Sequence, residues 1–258
     1  MKASQELTEA IRRPKNGEIA LMPYLTAGFP DRDAFADLLQ RISIEADVIE
    51  LGVPFSDPMA DGMTIQASSH AALEAGVSVR WILSMLDSVR LQYPVVLMSY
   101  LNPLLAYGLE DLVSDVSGLG VYGFIVPDLP FEEDADFRRL CESRGLARVQ
   151  LVTPVTPTDR LRRLCSASGG FVYAVTVTGT TGGQADLGQA YAYLDRVREV
   201  SPVPVCAGFG ISTAADVAGL VPHADGAVVG SALIRELAAG GDGAAFVRGL
   251  RGTTARGD

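Results

Sequence analysis

Three features of the sequence predict an α/β fold, a single closed (β/α)8 barrel with parallel strands (the TIM-barrel architecture). Eight short β-branched and aliphatic runs recur along the 258 residues, and each is followed by a turn signal and a helix-like stretch. That alternation is what βαβ units and a parallel sheet produce. The length matches the ~250 residues typical of such barrels, whereas a doubly wound sheet usually stops at about five or six strands. No Pro-rich or Ser-rich linker divides the chain, so one domain is expected over residues 1–258, with a helical region in 1–18 and a polar, frayed tail over 253–258.

The expected strands cover residues 19–25, 47–53, 95–99, 123–126, 148–152, 170–176, 203–207 and 226–229. Between them, residues 33–41 place Phe35, Leu38 and Leu39, with Ile42 next after them, at three-to-four spacing, and residues 81–91 repeat the period with Ile82, Met85, Leu86 and Val89. Helices are also expected over 111–116, 132–144, 158–166, 190–200 and 213–220, with Asp or Thr near several starts as cap candidates. The stretch after Asp61 that contains His70 is also helix-like.

Composition excludes several function classes. Hydrophobic residues make up 48% of the chain and charged residues 20%, enough apolar matter for a sizeable core. A net charge of −10 with no long Lys/Arg run opposes nucleic-acid binding, but an anionic metabolite can still be held by backbone N–H groups. Cys141, Cys165 and Cys206 are scattered, which fits neither a disulfide framework nor a zinc site. No segment reads as a signal peptide or a membrane span, and the expected compartment is the cytoplasm.

Barrel enzymes carry their chemistry on the loops at the carboxyl ends of the strands. Glu50 interrupts an otherwise apolar second strand, so its carboxylate is expected inside the barrel, where desolvation raises the pKa and suits proton transfer. No neighbouring Lys or Arg offers the alternative of a buried ion pair. Asp61, on a loop rich in Pro and Gly, supplies a second carboxylate in a different environment, and Asp57 precedes it. Unlike environments are what acid–base chemistry on one substrate needs.

Late in the chain, the turns Gly208-Phe209-Gly210-Ile211-Ser212-Thr213 and Gly230-Ser231-Ala232 allow close backbone approach, and Ser or Thr caps the helix that follows. Both suit phosphate binding. After the sixth strand, Thr178-Gly179-Thr180-Thr181-Gly182-Gly183-Gln184 has the small, polar character of a mobile lid. His70 and His223 belong to no visible constellation, and Trp81, the Met residues and most aromatics read as packing.

From about residue 19 to 235 the sequence resembles the tryptophan synthase α-subunit family. The resemblance rests on Pro23-Tyr24-Leu25-Thr26-Ala27-Gly28, the block from Glu50 to Gly62, Asn102-Pro103, Pro127-Asp128-Leu129-Pro130 and the two late turns. It implies a lyase that cleaves indole-3-glycerol phosphate to indole and glyceraldehyde 3-phosphate by retro-aldol acid–base catalysis. Glu50 and Asp61 match the catalytic carboxylates, and Tyr173 matches a tyrosine lining their site. Tyr24, Ile65, Ile125 and Phe209 match positions around the indole and glycerol chain. Gly182, Gly210, Gly230 and Ser231 match phosphate contacts, and Thr181 fits a lid threonine.

The resemblance implies neither a metal nor an organic cofactor, and a β subunit as partner in an α2β2 complex. Thr176-Val177 departs from the Ser-Arg of many relatives, which bears on lid control and on coupling to that partner. The alternatives are a standalone indole-3-glycerol phosphate lyase of another indole pathway, another phosphate-binding barrel isomerase or synthase, and an inactive scaffold that only activates a β-type partner.

Overall fold

A computed structural model of the chain describes residues 2–15, 19–176, 187–208 and 210–251. The expected tail over 253–258 lies outside them. Eight parallel strands close on themselves in sequence order. They are β1 (Ala20–Thr26), β2 (Ile49–Gly52), β3 (Val95–Met98), β4 (Val121–Ile125), β5 (Ala147–Val152), β6 (Val172–Val175), β7 (Val205–Gly208) and β8 (Gly226–Val229). Each overlaps an expected run; β8 coincides with its run, and the others have one or both ends displaced by a few residues.

The helices are α1 (Ala3–Arg12), α2 (Phe35–Glu45), α3 (Met63–Glu74), α4 (Val79–Ser88), α5 (Leu101–Tyr107), α6 (Leu109–Asp115), α7 (Ala135–Ser143), α8 (Thr158–Ala167), α9 (Leu187–Val200), α10 (Ala214–Leu220), α11 (Ser231–Ala238) and α12 (Gly243–Leu250). The sequence reading did not anticipate α5 or α12. Its cap candidates need correction too. Thr213 caps α10 in a capping box with Asp216, but Ser231 is the first residue of α11, whose N-cap is Gly230 without a side-chain bond. Thr158 likewise sits inside α8 after Pro157. Among the described residues, the N-cap side chains that accept from their own helix are Ser78, Thr213 and Asp242.

Closure of the sheet divides the apolar side chains into two cores, because successive residues of a strand point to opposite faces. Outward-facing Leu21, Leu25, Ile49, Leu51, Leu97 and Phe124 pack against the helices. Inward-facing Ala20, Met22, Val96, Val149, Cys206 and Val228 fill the barrel together with Leu7 and Ile11 of α1. The first helix thus stoppers the amino end of the barrel, and the Thr8 hydroxyl donates to the Gly170 carbonyl at 2.7 Å. Gly170 has φ +74°, and a Cβ there would stand 2.5 Å from Leu7 Cδ2, so only glycine lets the plug seat.

Two buried polar groups brace the frame. Asp47 accepts from the N–H groups of Lys15 (2.7 Å) and Leu21 (2.8 Å) and from Arg251 Nη2 (2.8 Å), gathering both ends of the chain at the foot of β2. On β5, Arg148 and Gln150 face the helices and still lie in the interior, at 2% and 3% exposure. Such groups must be satisfied internally. Asp134 accepts from Gln150 at 2.5 Å and lies 3.7 Å from Arg148 Nε and 3.3 Å from Arg138 Nε. Arg148 Nη2 also donates to the carbonyls of Val126 (3.3 Å) and Leu129 (3.2 Å), fixing the loop after β4. No helix among the described residues is long and apolar enough to cross a membrane.

Candidate active site

A cavity of about 520 Å³ opens at the carboxyl ends of the strands. Every strand contributes a residue to its floor: Tyr24, Glu50, Met98, Ile125, Leu151, Tyr173, Gly208 and Val228 in order from β1 to β8. The loops add Asp61, Ile65, Pro127, Gly210, Gly230 and Ser231. The fold therefore brings together every expected site residue that is described. Thr181, Gly182 and Phe209, like the 178–184 segment and Val177, lie outside the described residues.

Glu50 is 1% exposed and makes no ion pair among the described residues, and its Oε2 has no hydrogen-bond partner there. Burial, reinforced by the charge of Asp61, pushes its pKa up to about 8, so the carboxyl is protonated at neutral pH. Burial also raises Asp61, but a hydrogen bond from Tyr100 opposes the rise and leaves it at about 6. At neutral pH one carboxyl holds its proton while the other is mostly ionised. Such a pair can donate a proton on one side of a bound molecule and steady positive charge on the other.

Tyr100 is a member of the site that the sequence reading left among the packing aromatics. It follows β3, its ring stacks on Phe55 with centroids 5.2 Å apart, and its hydroxyl accepts the Ala60 N–H at 2.8 Å while bonding Asp61. The loop that carries Asp61 is thereby pinned to the end of β3. Asp128 in turn accepts the Leu101 N–H at 2.9 Å, tying α5 to the loop after β4. Arg235 is a second member that was missed, and among the described residues lining the cavity it is the one cation.

Two glycines make room for the tyrosines. A Cβ at Gly52 would stand 2.2 Å from the Tyr24 hydroxyl, and one at Gly208 would stand 2.5 Å from Tyr173 Cε1. The Tyr24 hydroxyl is 3.5 Å from Thr26 Oγ1, which lies 2.7 Å from Ser68 Oγ on α3. Burial raises the pKa of both tyrosines, so they present neutral hydroxyls.

At the phosphate-type turns, Gly230 and Ser231 bring the start of α11 to the cavity wall, and the first turn of this helix carries no acidic residue. Leading N–H groups of a helix have no intrahelical acceptor and favour an anion. The remaining candidates are peripheral. Asp57 pairs with Ser56 on the surface, His70 with Glu74, and His223 stacks on Tyr191 and bonds Asp195. All three cysteines are buried and free. Among the described residues no group of His, Cys, Asp and Glu could hold a metal ion.

Comparison with known proteins adds independent observations. The family model described as tryptophan synthase alpha chain matches residues 11–248. A tryptophan synthase alpha chain of Nitratidesulfovibrio vulgaris is 47% identical, covering 90% of this chain and 92% of that one. One from Roseiflexus is 43% identical, with 92% and 95% covered. Among solved structures, Mycobacterium tuberculosis tryptophan synthase superposes with a TM-score of 0.86 at 34% identity, covering 97% of this chain and 98% of that one. A structure of the Pyrococcus furiosus tryptophan synthase α2β2 complex superposes with a TM-score of 0.84 at 36% identity, with 92% and 99% covered.

Proposed function

The chain belongs to the tryptophan synthase alpha chain family, and from that premise we propose that it is a lyase cleaving indole-3-glycerol phosphate to indole and glyceraldehyde 3-phosphate. The observation that carries this reading is the pair of unlike carboxyls, Glu50 near 8 and Asp61 near 6, facing one cavity.

The steps balance with these two groups alone. Glu50 gives its proton to the indole ring carbon that bears the glycerol chain, which breaks the aromaticity of the pyrrole ring and places positive charge on the ring nitrogen. Asp61, ionised and held by Tyr100, stabilises that charge and the N–H. Glu50, now a carboxylate, takes the proton of the adjacent side-chain hydroxyl. The carbonyl forms, the carbon–carbon bond breaks, and its electron pair restores the aromatic ring. Glu50 ends protonated, ready for the next turnover.

Ile65, Ile125 and the two tyrosines supply the apolar walls that an indole ring needs. Gly210, Gly230 and Ser231 supply backbone donors for the phosphate. Thr181, Gly182 and Phe209 join this assignment on sequence resemblance.

A β subunit is the partner we assign, in an α2β2 assembly of the kind named for the Pyrococcus furiosus relative. Of the six large hydrophobic side chains exposed among the described residues, Met59, Met63, Leu105, Val155 and Leu187 all lie on segments that follow strands at the carboxyl end of the barrel. Met59 and Val155 are each 87% exposed. Apolar exposure gathered at one end of the barrel is what a docking face there would present. We place the protein in the cytoplasm as a single-domain subunit.

Indole release by the purified chain, measured alone and with a β subunit, tests the assignment. Release without the partner that rises on adding it supports both parts. A chain silent in both conditions while it still binds a phosphorylated ligand would return the site to another barrel isomerase or synthase.

A further inference from the structure

We infer that Arg235 recognises the phosphate of the substrate from the second turn of α11. The inference deepens the proposed activity and rests on it.

The starting point is an electrostatic mismatch. The substrate carries a phosphate of about two negative charges at neutral pH. It must enter a protein of net charge −10 and a cavity that holds two carboxyls. Backbone N–H groups at Gly210, Gly230 and Ser231 offer hydrogen bonds but only the partial charge of a helix terminus. Among the described residues lining the cavity, Arg235 is the single full positive charge.

Geometry brings that charge to the right place. Ser231 is the first residue of α11 and Arg235 follows four residues later, so the two share one face of the helix. Every Cα–Cβ bond of a helix tilts toward its N-terminus, which directs a long side chain from the second turn back over the first. A side chain of that length can bring its guanidinium to the leading N–H groups of α11, and both residues line the cavity.

Arg235 is also uncommitted. Arg160, Arg198 and Arg248 are engaged by Glu132, Asp225 and Glu45. Arg235 is exposed and makes no hydrogen bond or ion pair with any described residue. An arginine fork matches phosphate oxygens in a bidentate contact. Its division of labour with the backbone is clear: the N–H groups fix the phosphate, and the guanidinium attracts and neutralises it.

The test compares steady-state indole release by the full chain, Arg235→Gln and Arg235→Lys at low and high salt. At an ionic strength of about 20 mM, Arg235→Gln is expected to raise KM roughly tenfold and leave kcat within about twofold, because the contact is equal in ground and transition states. Arg235→Lys keeps the charge and is expected to recover most of the loss. At about 0.5 M salt the gap between parent and Gln variant should shrink to a few-fold, which a structural role would not produce.

A KM within about twofold of the parent at low salt overturns the inference, and so does a rise that salt leaves unchanged. If the parent releases no indole, the proposed activity falls, and Arg235 is then judged by phosphorus NMR titration with glyceraldehyde 3-phosphate. Weaker binding by Arg235→Gln supports the inference there, and equal binding overturns it.

Discussion

Glu50→Gln should separate what this residue does for catalysis from what it costs the fold. The carboxyl moves from an ordinary value of 4.5 to about 8 on folding, which at about 1.36 kcal/mol per pH unit corresponds to roughly 5 kcal/mol. Structural relaxation and water entry reduce such penalties, so about 3 kcal/mol is the figure to expect. Because the folded-state value lies above the unfolded one, the neutral form is favoured by folding. Full stability is present below pH 4.5, declines as pH rises toward about 8, and stays constant beyond that.

Gln cannot ionise and escapes this loss, but its amide meets the same partner-poor surroundings as Oε2, at a cost of about 1 kcal/mol. The variant is thus expected to be less stable than the parent by about 1 kcal/mol at pH 4, near parity at about pH 5, and more stable by about 2 kcal/mol at pH 9. In thermal unfolding the gain at pH 9 is about 5 °C. Calorimetric melts of both proteins at pH 4, 7 and 9 and equal ionic strength would show the two curves crossing, while the variant releases no indole at any pH. A stability difference that stays constant across this range, or one that turns against Gln as pH rises, would refute the reasoning.

Four further outcomes follow from the site and its supports. The parent's kcat/KM should be bell-shaped, with limbs near the values of about 6 for Asp61 and about 8 for Glu50. Tyr100→Phe removes the bond that lowers Asp61, so the acid limb should move up by about one pH unit, with activity about tenfold lower, in a pH–rate series. Gly208→Ala places a methyl 2.5 Å from Tyr173 Cε1. It should lower indole release more than about tenfold by swinging the ring off the cavity wall, while circular dichroism stays that of a folded barrel. Asp134→Ala leaves Arg148 buried without its counter-charge, and denaturant unfolding should register a loss of about 3–5 kcal/mol.

The strands and the two carboxyls were legible because their signals are local. Eight short β-branched and aliphatic runs announce themselves as near-continuous apolar stretches, and Glu50 stands out as an acid inside one of them. Tyr100 carries no such mark. Its meaning comes from Ala60 and Asp61, some 40 residues earlier in the chain, and only closure of β2 against β3 brings them together. Arg235 was hidden for a related reason, since a lone arginine on an amphipathic helix reads as surface until the start of that helix is seen at the cavity wall. Among the helices, α5 escaped because Asn102-Pro103 reads as a turn, although Pro is well tolerated in a first helical turn. The short α12 follows Gly240-Gly241 and lacks a long periodic stretch.

The clasp at Asp47 bears on how the molecule is made. This carboxylate collects the N–H groups of Lys15 and Leu21 soon after its own synthesis, but its guanidinium partner is Arg251. In the same way, β1 has only one neighbour until β8 arrives beside it. A nascent chain leaving the ribosome therefore carries an open sheet edge and a half-matched acid through nearly the whole of translation. Closure of the ring waits for β8 and the clasp at Asp47 for Arg251, so a chain terminated between residues 230 and 250 holds every strand of the barrel but lacks the guanidinium of the clasp.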